Sequence, residues 1–261
     1  YPTQAKVTQK TLEVAARVRV FQKMTFESLV MIPPLLCDAR IFAPQIADLS
    51  REHAVMVAPA TCGERMEEIA SQILSWAPAK FAVMGMGLGG MVAMEIIRRA
   101  PERVTRIALA STSPQADTPE TAAARETQII AARAGRWADV LTHEINSTWM
   151  AASSDKAELV RLLTQMGHAF GPEVYIKQTR ALQRRKDQQA MLGQLRHPTC
   201  ILCGRQDGQY SLKRYEFLAE LIPNARLEVI EHAGYLPSLE APDAVTDALR
   251  RWMKQPLMLR H

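Results

Sequence analysis

An α/β architecture, a mainly parallel sheet with helices on both faces, is what this sequence predicts, and three observations carry it. Short apolar runs alternate with longer stretches of helical periodicity from residue 28 onward. The run at residues 81–84 ends in a glycine cluster, Gly85, Gly87, Gly89 and Gly90. It passes directly into a helical pattern marked by Val92, Ile96 and Ile97 and stopped by Pro101. Between residues 115 and 196 the alternation gives way to helical patterns alone, and the sheet resumes at Thr199.

The elements follow in order. Residues 1–23 hold one alternating stretch, 17–21, that suits an edge strand; they read as an N-terminal extension, and nothing in them has the pattern of a secretory signal. Residues 28–32 form a continuous apolar strand and lead into a loop that opens on Pro33 and Pro34. A second strand at 53–58 precedes a helix over 64–76, with Met66, Ile69, Ile73 and Trp76 on one face. After the glycine turn and its helix, residues 104–110 form a strand that ends at Ser111 and Ser113. Helices are expected over 122–134, 137–150, 156–170 and 173–185. Strands at 199–203 and 227–231 and a helix at 244–253 complete the chain.

Bulk properties narrow the function. At 261 residues and 48% hydrophobic content, the chain has material for a substantial core. The net charge of +5 is spread over short basic pairs such as Arg98 and Arg99, or Arg250 and Arg251, which suit solvated helix faces. Only five tyrosines and six phenylalanines are available to stack bases, so no nucleic-acid partner is expected. No apolar run approaches the roughly 18 residues that a membrane span needs, so no membrane partner is expected either. Cys200 and Cys203 have C-x-x-C spacing, but on a strand that puts the thiols on opposite faces, which argues against a redox or metal site. Free thiols suit a reducing compartment, and a cytoplasmic location is expected.

The strand, sharp turn and helix at 81–99 resemble the nucleophile elbow, G-x-S-x-G, of the α/β-hydrolase fold family. A dinucleotide fingerprint would need glycine where Val92 stands, and the Gly-Lys-Ser/Thr ending of a phosphate loop is missing. Gly204 and Asp207 match the family's strand-end G-x-x-D, and residues 232–242 are close to its histidine signature ending in L-E-x-P. The resemblance spans residues 24–255 and is nearest to bacterial esterase- and lactonase-like members with a helical cap. It implies a core of residues 24–114 and 197–261 and a cap of residues 115–196 over the active site.

Carried over residue by residue, the resemblance assigns Gly87 to the nucleophile position, Asp207 to the acid and Tyr235 to the base. It gives the oxyanion-hole amides to Leu35 and Leu88. Pro34 stands where the family has glycine, and Pro34, Trp137 and Trp149 are assigned to substrate binding. No cofactor and no metal is implied.

Two of the three triad positions have lost their chemistry. Glycine has no group to acylate, and a phenol with an ordinary pKa near 10 is a poor base at neutral pH. Losing a triad member leaves only about 10³–10⁴ of acceleration over water. The expectation is a fold related to ester and lactone hydrolases that binds a small apolar ligand or carbonyl compound, or a protein partner or second copy, without triad hydrolysis. Two alternatives stand beside it: a hydrolase inactivated by engineering, and a cofactor-free lyase or isomerase using Tyr235 and Asp207. Cys37, Ser111, Ser113, His143, His168 and His232 are weighed as substitute groups; packing, turn and surface roles account for them better. The Tyr235 hydroxyl is expected to hydrogen-bond the Asp207 carboxylate.

Overall fold

The computed structural model describes residues 27–152 and 155–257. The stretch at 17–21 read as an edge strand lies outside them, as do all of residues 1–23. Six strands form one sheet: β1 (Leu29–Ile32), β2 (Val55–Val57), β3 (Phe81–Met86), β4 (Val104–Ala110), β5 (Thr199–Gly204) and β6 (Ala225–Ile230). Their order is β2-β1-β3-β4-β5-β6, and every neighbouring pair is parallel. The central strands are buried on both faces, which accounts for their unbroken apolar runs.

Each strand sends alternate side chains to two core layers. Val30, Ile32, Val83, Ile201 and Cys203 join one layer, and Leu29, Met31, Met84, Cys200 and Leu202 join the other. Cys200 and Cys203 therefore do face opposite sides, both buried. The first layer is covered by α2 (Met66–Trp76), α3 (Leu88–Arg99) and α8 (Leu212–Leu221); the second is covered by α1 (Ala43–Leu49) and α10 (Pro242–Met253). Met66, Ile69 and Ile73 of α2 are buried as the helical face predicts. Trp76 is not: it lies at the last helical turn and is half exposed.

Between β4 and β5 the chain forms α4 (Pro119–Arg133), α5 (Trp137–Glu144), a short 3₁₀ turn (Ser147–Trp149), α6 (Lys156–Gln183) and α7 (Gln189–Leu192). The two helices expected over 156–170 and 173–185 are both present within α6 and meet at a kink at Gly171, whose φ of 73° and ψ of 177° are non-helical. Pro172 explains the bend, because it lacks an N–H and its ring crowds the carbonyl four residues back. The short α9 (Pro237–Glu240) precedes α10.

The turn from β3 into α3 leaves no room for side chains. A Cβ on Gly89 would stand 2.0 Å from the Ile32 carbonyl oxygen, and one on Gly85 would stand 2.1 Å from that of Gly89. The glycines let β1, β3 and α3 approach so closely that residue 87 sits at the carboxyl edge of the sheet.

Candidate active site

Gly87 is the N-cap of α3 with φ 53° and ψ −119°, a backbone region that costs a residue with a side chain about 1–3 kcal/mol. Its N–H donates to the Ala110 carbonyl at 3.0 Å, and its own carbonyl accepts from the Thr112 hydroxyl at 2.7 Å. The turn is thus fastened to the end of β4. It opens on a partly enclosed, mostly apolar cavity. Pro34, Leu35, Gly87, Leu88, Trp149 and Tyr235 all line it. Trp137 does not; it packs on Tyr175 with ring centroids 5.6 Å apart, inside the helical segment.

The space above Gly87 is taken. A Cβ built there would meet the Tyr235 hydroxyl at 2.6 Å and the Pro34 Cβ at 3.0 Å. Tyrosine is longer than histidine, so its hydroxyl extends into the volume a nucleophile side chain would use. Burial, reinforced by the neighbouring Tyr210 phenol and Asp207 carboxylate, pushes the Tyr235 phenol well above its ordinary 10. It is a neutral donor at physiological pH and no base.

The loop that carries Tyr235 is firmly held. The Tyr235 N–H donates to the Trp149 carbonyl at 2.8 Å, and the two rings meet edge to face with centroids 5.7 Å apart. The Glu240 carboxylate accepts from the N–H groups of Ala151 (2.6 Å), Gly234 (3.0 Å) and Leu236 (2.7 Å). The glutamate of the L-E-x-P stretch therefore ties the Tyr235 loop to the 149–151 segment through charge-assisted hydrogen bonds.

The expected hydrogen bond from Tyr235 to Asp207 is not formed; the carboxylate has other partners. Asp207 Oδ2 accepts from the Tyr215 hydroxyl on α8, and Oδ1 accepts from the backbone N–H of Gln209 at 2.8 Å and of Tyr210 at 3.0 Å. Burial raises its pKa above the ordinary 3.8, and the hydrogen bonds oppose that rise. Tyr210 lies between the two sites, 6.2 Å from Tyr215 and 6.4 Å from Tyr235, ring to ring. Neither Tyr210 nor Tyr215 is identified from sequence.

Leu35 and Leu88 both line the cavity, and among the described residues neither backbone N–H has an acceptor. Leu88 is the first residue of α3, where an N–H has no partner within the helix. The 34–37 loop is set by a turn in which the Cys37 N–H donates to Pro34 O (3.2 Å), and Leu36 takes a positive φ of 55°. Gln178 of α6 holds that strained residue: its Oε1 accepts from the Leu36 N–H at 3.0 Å while its Nε2 donates to the Ala60 carbonyl at 2.8 Å. No sequence signal marks this glutamine, because the contact depends on how α6 lies across the sheet edge.

The substitute groups lack the arrangement a nucleophile needs. Burial pushes the Cys37 thiol far above its ordinary range. His143 and His168 are exposed and do not line the cavity. Ser111 is buried at φ 45° but outside the cavity lining, and the Ser113 hydroxyl accepts from the Gln115 N–H at 3.3 Å. Among the described residues no group of three or more His, Cys, Asp or Glu could hold a metal ion. No helix there is long and apolar enough to cross a membrane.

The α/β-hydrolase fold family, by its sequence model, matches residues 77–242, more than half of the chain. Among curated relatives, the pimeloyl-[acyl-carrier protein] methyl ester esterase of Aliivibrio fischeri is 25% identical over 209 residues, covering 72% of this chain and 76% of the relative. Among solved structures, an esterase from Thermogutta terrifontis superposes with a TM-score of 0.79 at 24% identity, over 87% of this chain and 89% of that one. The enol-lactonase from Burkholderia xenovorans LB400 gives 0.77 at 20% identity, over 88% and 92%. The edge position of residue 87, the parallel sheet and the family match agree: this chain belongs to the α/β-hydrolase fold family.

Proposed function

We propose that this chain is a non-hydrolytic member of its family, which binds a small, mostly apolar carbonyl compound in the cavity between the sheet edge and the helices that follow β4. One observation carries the reading: the Tyr235 hydroxyl occupies the space above Gly87 in which acyl transfer would take place. Tyrosine at 235, glycine at 87 and proline at 34 fit one another sterically, which supports reading them as a matched set and weighs against a single inactivating change. The amides of Leu35 and Leu88 and the neutral Tyr235 phenol offer donors to a carbonyl oxygen. The residues 115–196 act as a cap in this reading, and the chain works in the cytoplasm, in keeping with its free thiols.

The lyase or isomerase alternative is less well supported. The Tyr235 phenol stays protonated, and Asp207 is engaged by Tyr215. The experiment is a series of the parent, Gly87→Ser, Tyr235→His and the double variant, assayed on p-nitrophenyl esters. The reading expects silence from the parent and from Gly87→Ser alone, with turnover arising only once Tyr235 is also replaced. Turnover by the parent sinks it.

A further inference from the structure

Arg125 projects from α4 into the same cavity, and its setting is unusual for a cation among leucines. Its Nε donates to Asp117 Oδ2 at 2.7 Å. That carboxylate is buried, with its side chain only 2% exposed, and its other oxygen pairs with Arg185 at 2.5 Å. One carboxylate thus serves two guanidinium groups, and the cluster keeps a net positive charge. Among the described residues, the two terminal nitrogens of Arg125 meet no acceptor, although one edge of the guanidinium is fixed by Asp117. The free edge is the planar two-donor fork that fits a carboxylate.

The rest of the lining narrows the ligand. Leu35, Leu88, Met91, Leu163, Leu182 and Leu236 make the walls apolar. Glu144 is the other charged lining group among the described residues, and its Oε1 accepts from the Tyr175 hydroxyl at 2.7 Å. Its negative charge disfavours a dianion such as phosphate and leaves room for a monoanion beside Arg125. Gln209 also lines the cavity, with Oε1 buried and without a hydrogen-bond partner. Turning that amide exchanges Oε1 for Nε2, so it can meet a donor or an acceptor on a ligand.

Resting on the reading of a retained ligand cavity, we propose that the cavity selects compounds with an apolar body and one carboxylate, and that the free edge of Arg125 binds that carboxylate. Asp117 satisfies only the Nε edge of this part-buried guanidinium, and such a ligand would satisfy the terminal nitrogens that it leaves open.

The test is isothermal titration of the full chain with 4-phenylbutanoate, 4-phenylbutanamide and 4-phenylbutanol, which share one apolar body. The parent is expected to bind the acid at least about tenfold more tightly than either neutral compound, the scale of a charge-assisted hydrogen-bond pair. Arg125→Met should bring the three affinities together while the alcohol still binds. Arg125→Lys keeps the charge but loses the fork, and it should retain part of the preference. It also stands in should Arg125→Met fail to fold. Equal binding of acid and amide by the parent overturns the proposal and leaves the cavity reading intact. An acid preference that survives in Arg125→Met overturns it too, because the carboxylate is then recognised elsewhere. No binding of any of the three compounds rejects both the proposal and the cavity reading beneath it.

Discussion

The Tyr235 hydroxyl lies 2.6 Å from the point that a β-carbon on Gly87 would occupy. Positions 87 and 235 are therefore not independent: one has no side chain where the other reaches in. Pro34, 3.0 Å from the same point, closes the remaining side. Together they fill the space above Gly87 on the cavity wall.

The coupling is measurable in a double-mutant cycle. Gly87→Ala should cost about 2–4 kcal/mol, combining the positive φ with the collision against Tyr235. In a Tyr235→Phe background the 2.6 Å contact is gone and the ring carbon at 3.6 Å is in ordinary contact, so the same change should cost about 1 kcal/mol less. Urea unfolding of the four proteins gives the coupling energy. Strict additivity would mean that the hydroxyl does not occupy that space.

Asp207 makes a pH prediction. Its folded pKa is raised above 3.8 by burial, so between 3.8 and the raised value the folded protein holds more protons than the unfolded chain. Stability from this group is present at the acid end and is lost as pH rises through that window. Asp207→Asn should remove this loss while keeping an acceptor for the Gln209 and Tyr210 amides. Unfolding free energies at stepped pH check it: an unchanged slope in the variant would place the effect on another carboxylate.

Cysteine reactivity separates a packed thiol from a hidden nucleophile. Of the cysteines, only Cys62 is exposed, while Cys37, Cys200 and Cys203 are buried. Iodoacetamide should label Cys62 in the native protein and all four thiols in urea. Rapid labelling of Cys37 with the fold intact would make it a nucleophile candidate after all.

The periodic features of the chain are readable without coordinates. Alternation of apolar runs places β1 to β6, and the glycines of 85–90 mark the sharp turn because only they tolerate such close backbone approach. What escapes is set by tertiary geometry alone. Asp207 bonds Tyr215, because α8 carries that hydroxyl to it. Trp137 reads as a cavity aromatic and instead packs on Tyr175, since helical spacing says which residues share a face and not which neighbour covers it. Nothing in the sequence singles out Arg125; its placement depends on the Asp117 carboxylate lying between two arginines. The break between the helices expected over 156–170 and 173–185 is legible: Gly171 has non-helical dihedrals there, and Pro172 follows it.

The proposal that this chain does not transfer acyl groups is tested most directly by intact-protein mass spectrometry of the parent after incubation with p-nitrophenyl butyrate, with released p-nitrophenol read in parallel. Neither Gly87 nor a protonated Tyr235 can carry an acyl group through the two steps of hydrolysis. The expected result is an unchanged mass and release equal to that of a heat-denatured control. An acyl adduct that forms, decays with turnover and maps to a residue of the cavity would contradict it.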